Sequence, residues 1–198
     1  QTPNPYVFMY SLIQNKIKTI KYIMSNYVSG KIRFVSFDEI IDMSKEEVPR
    51  NVKVEKEDFI GVWIAFRNFV QDRLDQNQNV DVFKIFTISK DEKTKTVQIT
   101  FNKKWMLTKK KKQNLVNEEE SFILTVCLNS HLVEKFFGGN KSIVDPILKY
   151  LMSNIERTIA NAVNSIELEL RFFGSVYCFD SKINFLAIES NLNSRNEK

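Results

Sequence analysis

The chain has 198 residues, 43% of them hydrophobic and 27% charged, with a formal net charge of +5. That length suits a single domain with one core. The composition excludes a disordered or loop-rich chain, since Gly and Pro number only 5 and 4 while 16 Phe, 6 Tyr and 2 Trp supply a large apolar area. Two cysteines exclude a disulfide framework, and no apolar run reaches the ~18 residues of a membrane-spanning helix.

The charge is unevenly placed. Five basic residues and no acid lie between Gln1 and Phe37, and eight acids against four bases between Asp38 and Ile60. Ten lysines against two acids follow between Val82 and Lys112, and eleven acids against eight bases from Gln113 to Lys198. The modest total therefore hides one strongly positive segment, which attracts anions locally.

Taken in chain order, Tyr6, Met9, Ile13, Ile17, Ile20, Met24 and Tyr27 recur every three or four residues, the repeat of one helical face. Pro3 and Pro5 precede this first helix and Gly30 follows it. A short strand is expected over 32–37. The acidic stretch 38–58, broken by Pro49, reads as a loop or short helix, a connection with a solvated face. Phe59, Trp63, Phe66, Val70 and Leu74 then mark a second helix, apolar on most sides and deeply buried, with the Trp and Phe rings as core anchors.

Three strands follow. Val80 to Ser89 reads as one strand covered on both faces. Val97, Ile99 and Phe101 alternate with polar residues, and Phe122, Leu124, Val126 and Leu128 do the same. They are expected to form a meander with the basic run in its second connection. A third helix opens near Ser142, Asp145 and Pro146. It carries Leu148, Leu151, Ile155 and Ile159 inward, with Asn154, Arg157 and Asn161 facing away. The pattern turns to period two near Ile166, where Glu167 and Glu169 share a face expected to be wet. A hairpin is expected from Val176–Phe179 and Ile183–Ile188 around Asp180-Ser181-Lys182. The residues after Asn191 are polar.

This order implies one α+β domain over residues 1–190 with a polar tail at 191–198. A mostly antiparallel sheet of about five to six strands would pack against two or three long helices.

Catalytic signatures are missing from the sequence. His131 is the only histidine, so a histidine-built metal site is excluded. Cys127 lies four residues before His131, ~13 Å away along an extended strand and out of reach for a nucleophilic pair. Gly138-Gly139-Asn140-Lys141-Ser142 echoes a phosphate loop only in its second half. Carboxylate clusters fall in polar connections. Both cysteines are expected as buried free thiols, which points to an intracellular setting. The sequence shows no signal-peptide pattern, and its opening at Gln1 suits a fragment or processed form. No enzyme activity and no cofactor are expected.

The one positive signal is the run from Lys103 to Lys112, where six of ten residues are lysine. Each lysine near a phosphate releases condensed counterions, and Trp105 within the run suits stacking on a base. The expected nucleic-acid or polyanion site comprises Lys103, Lys104, Trp105, Lys109, Lys110, Lys111 and Lys112, extended by Lys84, Lys93 and Lys95. Two other readings compete with it. One is a structural or assembly subunit that binds a protein partner or its own copies. The other is a carrier of an apolar ligand, which requires a Phe- and Ile-lined cavity of a few hundred Å3.

Overall fold

The computed structural model describes Lys21, Ser25 and residues 32–91, 95–113, 123–179 and 181–188. The chain divides into two compact units, Gln1–Arg33 and Phe34–Lys198. In the first, Lys21 and Ser25 are helical and exposed; the rest of the helix expected over 6–27 lies outside the described residues, as does the tail. The second unit carries two mixed sheets and several helices, an α+β fold.

A short strand, β1 (Arg33–Val35), leads into helix α1 (Phe37–Glu47). Of the two expected forms, loop or short helix, this connection takes the helix, and the cause is local. Ser36 Oγ accepts from Glu39 N (3.2 Å) while Glu39 Oε1 accepts from Ser36 N (3.2 Å), a reciprocal capping box. Asp38 and Glu39 also complement the positive end of the helix. Phe37, Ile40, Ile41 and Ser44 form the buried face, and the acids occupy the wet one. Val48 turns extended ahead of Pro49 and ends the helix.

Helix α2 (Lys56–Asp75) runs through the centre of the core, as its apolar pattern predicts. Trp63 lies 4.6 Å from Phe37, 5.0 Å from Phe66 and 5.7 Å from Phe173, ring centroid to centroid. Its Nε1 donates to the Arg171 carbonyl at 2.8 Å, so the one polar atom of the indole is satisfied. The helix ends on Asn77 with φ 54°, and Gln78 N returns to Arg73 O at 2.9 Å. This is a Schellman ending on a residue that tolerates the left-handed region.

The segment Val80–Ser89 is two strands, not one. β2 (Asn79–Val82) and β3 (Phe86–Lys90) pair antiparallel around a turn closed by Ile85 N to Val82 O at 2.9 Å. β4 (Val97–Phe101) continues the antiparallel run. Val80, Val82, Phe86, Ile88, Ile99 and Phe101 face the core, whereas Asn79, Asp81, Thr87, Ser89 and Gln98 keep contact with water. One face is covered, where two were expected. The expected third strand, β6 (Thr125–Cys127), pairs parallel with β2 on the side away from β4, giving the order β4-β3-β2-β6 in place of a simple meander.

The second sheet has the order β1-β7-β8-β9-β5, with β5 at Lys112–Gln113, β7 at Ile166–Leu170, β8 at Gly174–Phe179 and β9 at Lys182–Ala187. The β8–β9 hairpin is as expected. Gly174 has φ 148°, and a Cβ there would stand 2.0 Å from the Leu186 carbonyl oxygen, so only glycine fits. The sheets meet through Gln113. Its Oε1 accepts from Phe101 N (2.8 Å) and its Nε2 donates to Ile99 O (3.0 Å), continuing the ladder of edge strand β4 with a side chain.

Between β4 and β5 lies α3 (Lys103–Thr108), and before the last helix the short α4 (Ser130–Val133). A 3-10 turn at Lys141–Ile143, capped by Asn140 Oδ1 on Ser142 N (3.1 Å), then opens α5 (Val144–Ala160). Leu148, Leu151, Ile155 and Ile159 are buried as expected. Asn154, expected outside, is fully buried and bonded to Ser44 of α1. Glu167 and Glu169 also depart from the expected wet face. Glu167 accepts from the Tyr177 hydroxyl at 2.9 Å, both residues being 8% exposed, and Glu169 Oε2 accepts from Phe37 N at 3.0 Å. Of the cysteines only Cys178 is buried; Cys127 is exposed on edge strand β6, and both thiols are free.

Candidate nucleic-acid interface

The lysine run is not a loop. Asn102 Oδ1 caps α3, accepting from Lys104 N (2.9 Å) and Trp105 N (3.2 Å). The helix turns Trp105 and Met106 inward and leaves Lys103, Lys104, Leu107 and Thr108 outside. Trp105 is 8% exposed and stands 5.5 Å from Phe101, whose own ring is 5.6 Å from Phe86. Its Nε1 donates to Glu156 Oε1 at 2.8 Å. The indole is the outermost ring of a core stack and offers no face to a base.

Helix α3 closes with a second Schellman ending. Lys111 N bonds Met106 O (2.8 Å), Lys110 N bonds Leu107 O (3.2 Å), and Lys110 takes φ 54° where glycine is usual. The run thereby splits. Lys109 Nζ lies 3.5 Å from Glu156 Oε1. Lys111 is 7% exposed and donates to the Ala162 carbonyl at 3.1 Å. Its ammonium also acts on Cys178, opposing the burial that pushes that thiol up to about 12. Lys103, Lys104, Lys110 and Lys112 remain exposed.

Two further lysines join them. Lys84 is exposed in the β2–β3 turn, which touches the start of α3 through Asn102 N to Ile85 O at 2.9 Å. Lys182, which the sequence pattern gave no reason to single out, is the register partner of Lys112 across the parallel β5–β9 pair. Both are exposed, and adjacent strands run only about 4.8 Å apart. Helix α3 itself spans about 9 Å. The six lysines are thus strung along one short stretch of structure, and no ion pair joins any of them to an acid among the described residues.

Lys95 is not part of this stretch. It sits with φ 56° beyond the Lys90–Val97 end of the β3–β4 pair, about 14 Å of strand away from the Phe86–Phe101 end that meets α3. Lys93 lies outside the described residues. His131 is exposed and bonds Glu134 through Nδ1 at 3.1 Å.

Among the described residues no group of His, Cys, Asp and Glu is placed to hold a metal ion, and no helix is long and apolar enough to cross a membrane. A surface pocket lined by Arg67, Val70, Leu74, Val97, Phe172 and Ile188 encloses about 20 Å3. That is room for about one water, and it lends nothing to the carrier reading. Compared with known proteins, the chain matches no family model, and no curated protein matches it.

Proposed function

We propose that the protein is a non-catalytic binding domain for a polyanion, with nucleic acid as the partner, and that Lys84, Lys103, Lys104, Lys110, Lys112 and Lys182 form its contact surface. Trp105, Lys109, Lys111 and Lys95 have no part in it. The observation that carries this reading is the alignment of Lys112 with Lys182 across β5 and β9, both exposed, without a described acid between them. Like charges placed directly opposite on neighbouring strands destabilise a sheet, and a phosphate between them removes the repulsion.

The test is the salt dependence of oligonucleotide binding. Six phosphate contacts on a single strand give a log-affinity slope against log salt of about −4, each contact contributing about −0.7. K112Q/K182Q should weaken binding and flatten the slope by about 1.4. K95Q should change neither. Affinity independent of salt, or no binding at about 50 mM salt, removes the proposal.

A further inference from the structure

The turn that carries Lys84 is unusual for a second reason. Phe83 and Lys84 both have positive φ, 50° and 60°, as the central residues of the turn that Ile85 N closes on Val82 O, within the three-residue connection between β2 and β3. Such turns favour Asn-Gly or Gly-Gly, because left-handed backbone crowds a Cβ. A bulky aromatic is among the least suited residues there. Core packing does not account for it. The Phe83 ring is 41% exposed, while its neighbours Val82 and Ile85 are 0% and 5% exposed. Among the described residues the ring makes no aromatic or cation–π contact. The turn thus holds an aromatic ring and an ammonium side by side in water on a backbone conformation that favours neither residue. Strain of this kind gathers at functional sites.

The position of the turn supplies the rest. Through the Asn102 to Ile85 bond it abuts the first turn of α3, where Lys103 and Lys104 are exposed. We infer that Phe83 is the stacking platform of the site and that the ligand is single-stranded nucleic acid: a base rests on the Phe83 ring while Lys84, Lys103 and Lys104 hold the flanking phosphates. This rests on the polyanion reading above and narrows it. A duplex keeps its bases stacked on one another and offers the ring nothing, whereas an unpaired base gains from any aromatic face.

The experiment compares a fluorescent oligo-dT with inorganic polyphosphate, which carries charge but no bases, on the full chain. Phe83→Gly and Phe83→Asn remove the ring while suiting the left-handed backbone, and Phe83→Trp keeps a stacking face. Circular dichroism and the unfolding midpoint verify that each variant is folded. The expected result is a loss of at least about fivefold in oligo-dT affinity for the Gly and Asn variants, with polyphosphate binding unchanged and oligo-dT binding retained by F83W. Oligo-dT binding equal to wild type in either ring-less variant, with K103Q/K104Q still weakening it, overturns the stacking role and leaves the polyanion reading standing. An equal loss for both ligands also overturns it, since the ring would then act through the turn. Failure of the wild-type chain to bind either ligand at low salt overturns both readings together.

Discussion

Asn154 is the place where the packing of α1 on α5 can be tested most sharply. Its side chain is fully buried. Nδ2 donates to Ser44 Oγ (3.1 Å) and to the Tyr150 carbonyl (3.0 Å), and Oδ1 accepts from Arg157 Nη2 (2.9 Å). Asn154→Leu keeps the number and branching of the side-chain heavy atoms and removes these bonds. Arg157 retains Glu47, and Ser44 still donates to Ile40 O at 2.7 Å. Nδ2 also reaches Glu47 Oε2 of α1 at 3.4 Å. The loss between the helices and to Arg157 is then about 1 kcal/mol for the Nδ2 contacts with α1 and about 1 kcal/mol for the Oδ1 bond, the Tyr150 bond being internal to α5. A total of about 2 kcal/mol corresponds to a fall in Tm of roughly 4–8 °C for a chain of this size. Ser44→Ala and Asn154→Leu each remove the same bond, so the double variant loses it only once and should cost about 1 kcal/mol less than the sum of the single costs. Urea unfolding followed by circular dichroism measures all four corners of this cycle. Strictly additive costs, or a single Asn154→Leu variant more stable than wild type, would refute the claim that the buried amide binds the two helices through Ser44.

Two further outcomes follow from the same geometry. Lys110→Gly should raise stability by about 1 kcal/mol in thermal unfolding, since glycine takes the left-handed position at the end of α3 without a Cβ penalty; the same variant should flatten the salt slope of oligonucleotide binding by about 0.7. At alkaline pH, burial and the bond to Glu167 push Tyr177 up from 10.0 to about 12, and burial pushes Cys178 up from 9.0 to about 12. The folded state therefore keeps protons that the unfolded chain releases, so this stabilisation is intact below pH 9 and declines as pH rises towards 12. The urea midpoint should fall over that window, and less steeply in Y177F/C178A.

The long helices were legible because their burial repeats locally. Phe59, Trp63, Phe66 and Val70 on α2 and Leu148, Leu151, Ile155 and Ile159 on α5 all lie in the core, and each stripe stands out within its own segment. Helix α1 carried an equally local signal in Ser36 and Glu39, but the density of acids around Ile40, Ile41 and Ser44 obscured its narrow apolar face and left loop and short helix both open. The roles of Glu169 and Asn154 were out of reach, because their partners lie 132 and 110 residues away. No spacing rule connects such positions. The β2–β3 turn was invisible for the opposite reason. Phe-Lys lacks any turn-forming residue, so Val80–Ser89 reads as one uninterrupted strand. The parallel pairs β2–β6 and β5–β9 are non-local, and without them neither the sheet order nor the approach of Lys182 to Lys112 can be read.

The basic run shows how composition and architecture divide a single signal. Lysines at the end of a helix need no ligand to explain them, since cations suit the exposed carbonyls there. Lys109 and Lys111 are explained in this way and by their bonds to Glu156 and Ala162. Lys103 and Lys104 are not: they occupy the first turn of α3, where the backbone presents N–H groups and favours acids. Lys112 and Lys182 oppose each other, and Lys84 shares a strained turn with an exposed ring. Of the exposed members, Lys84, Lys103, Lys104, Lys112 and Lys182 therefore sit where folding alone gains nothing from a positive charge, Lys110 shares the helix end with Lys109 and Lys111, and the members that folding does use through side-chain bonds are the ones withdrawn from solvent. A purely solvating role for the run predicts that neutralising Lys103, Lys112 or Lys182 lowers stability or leaves it unchanged. A ligand-directed role predicts that it raises the unfolding midpoint while weakening oligonucleotide binding.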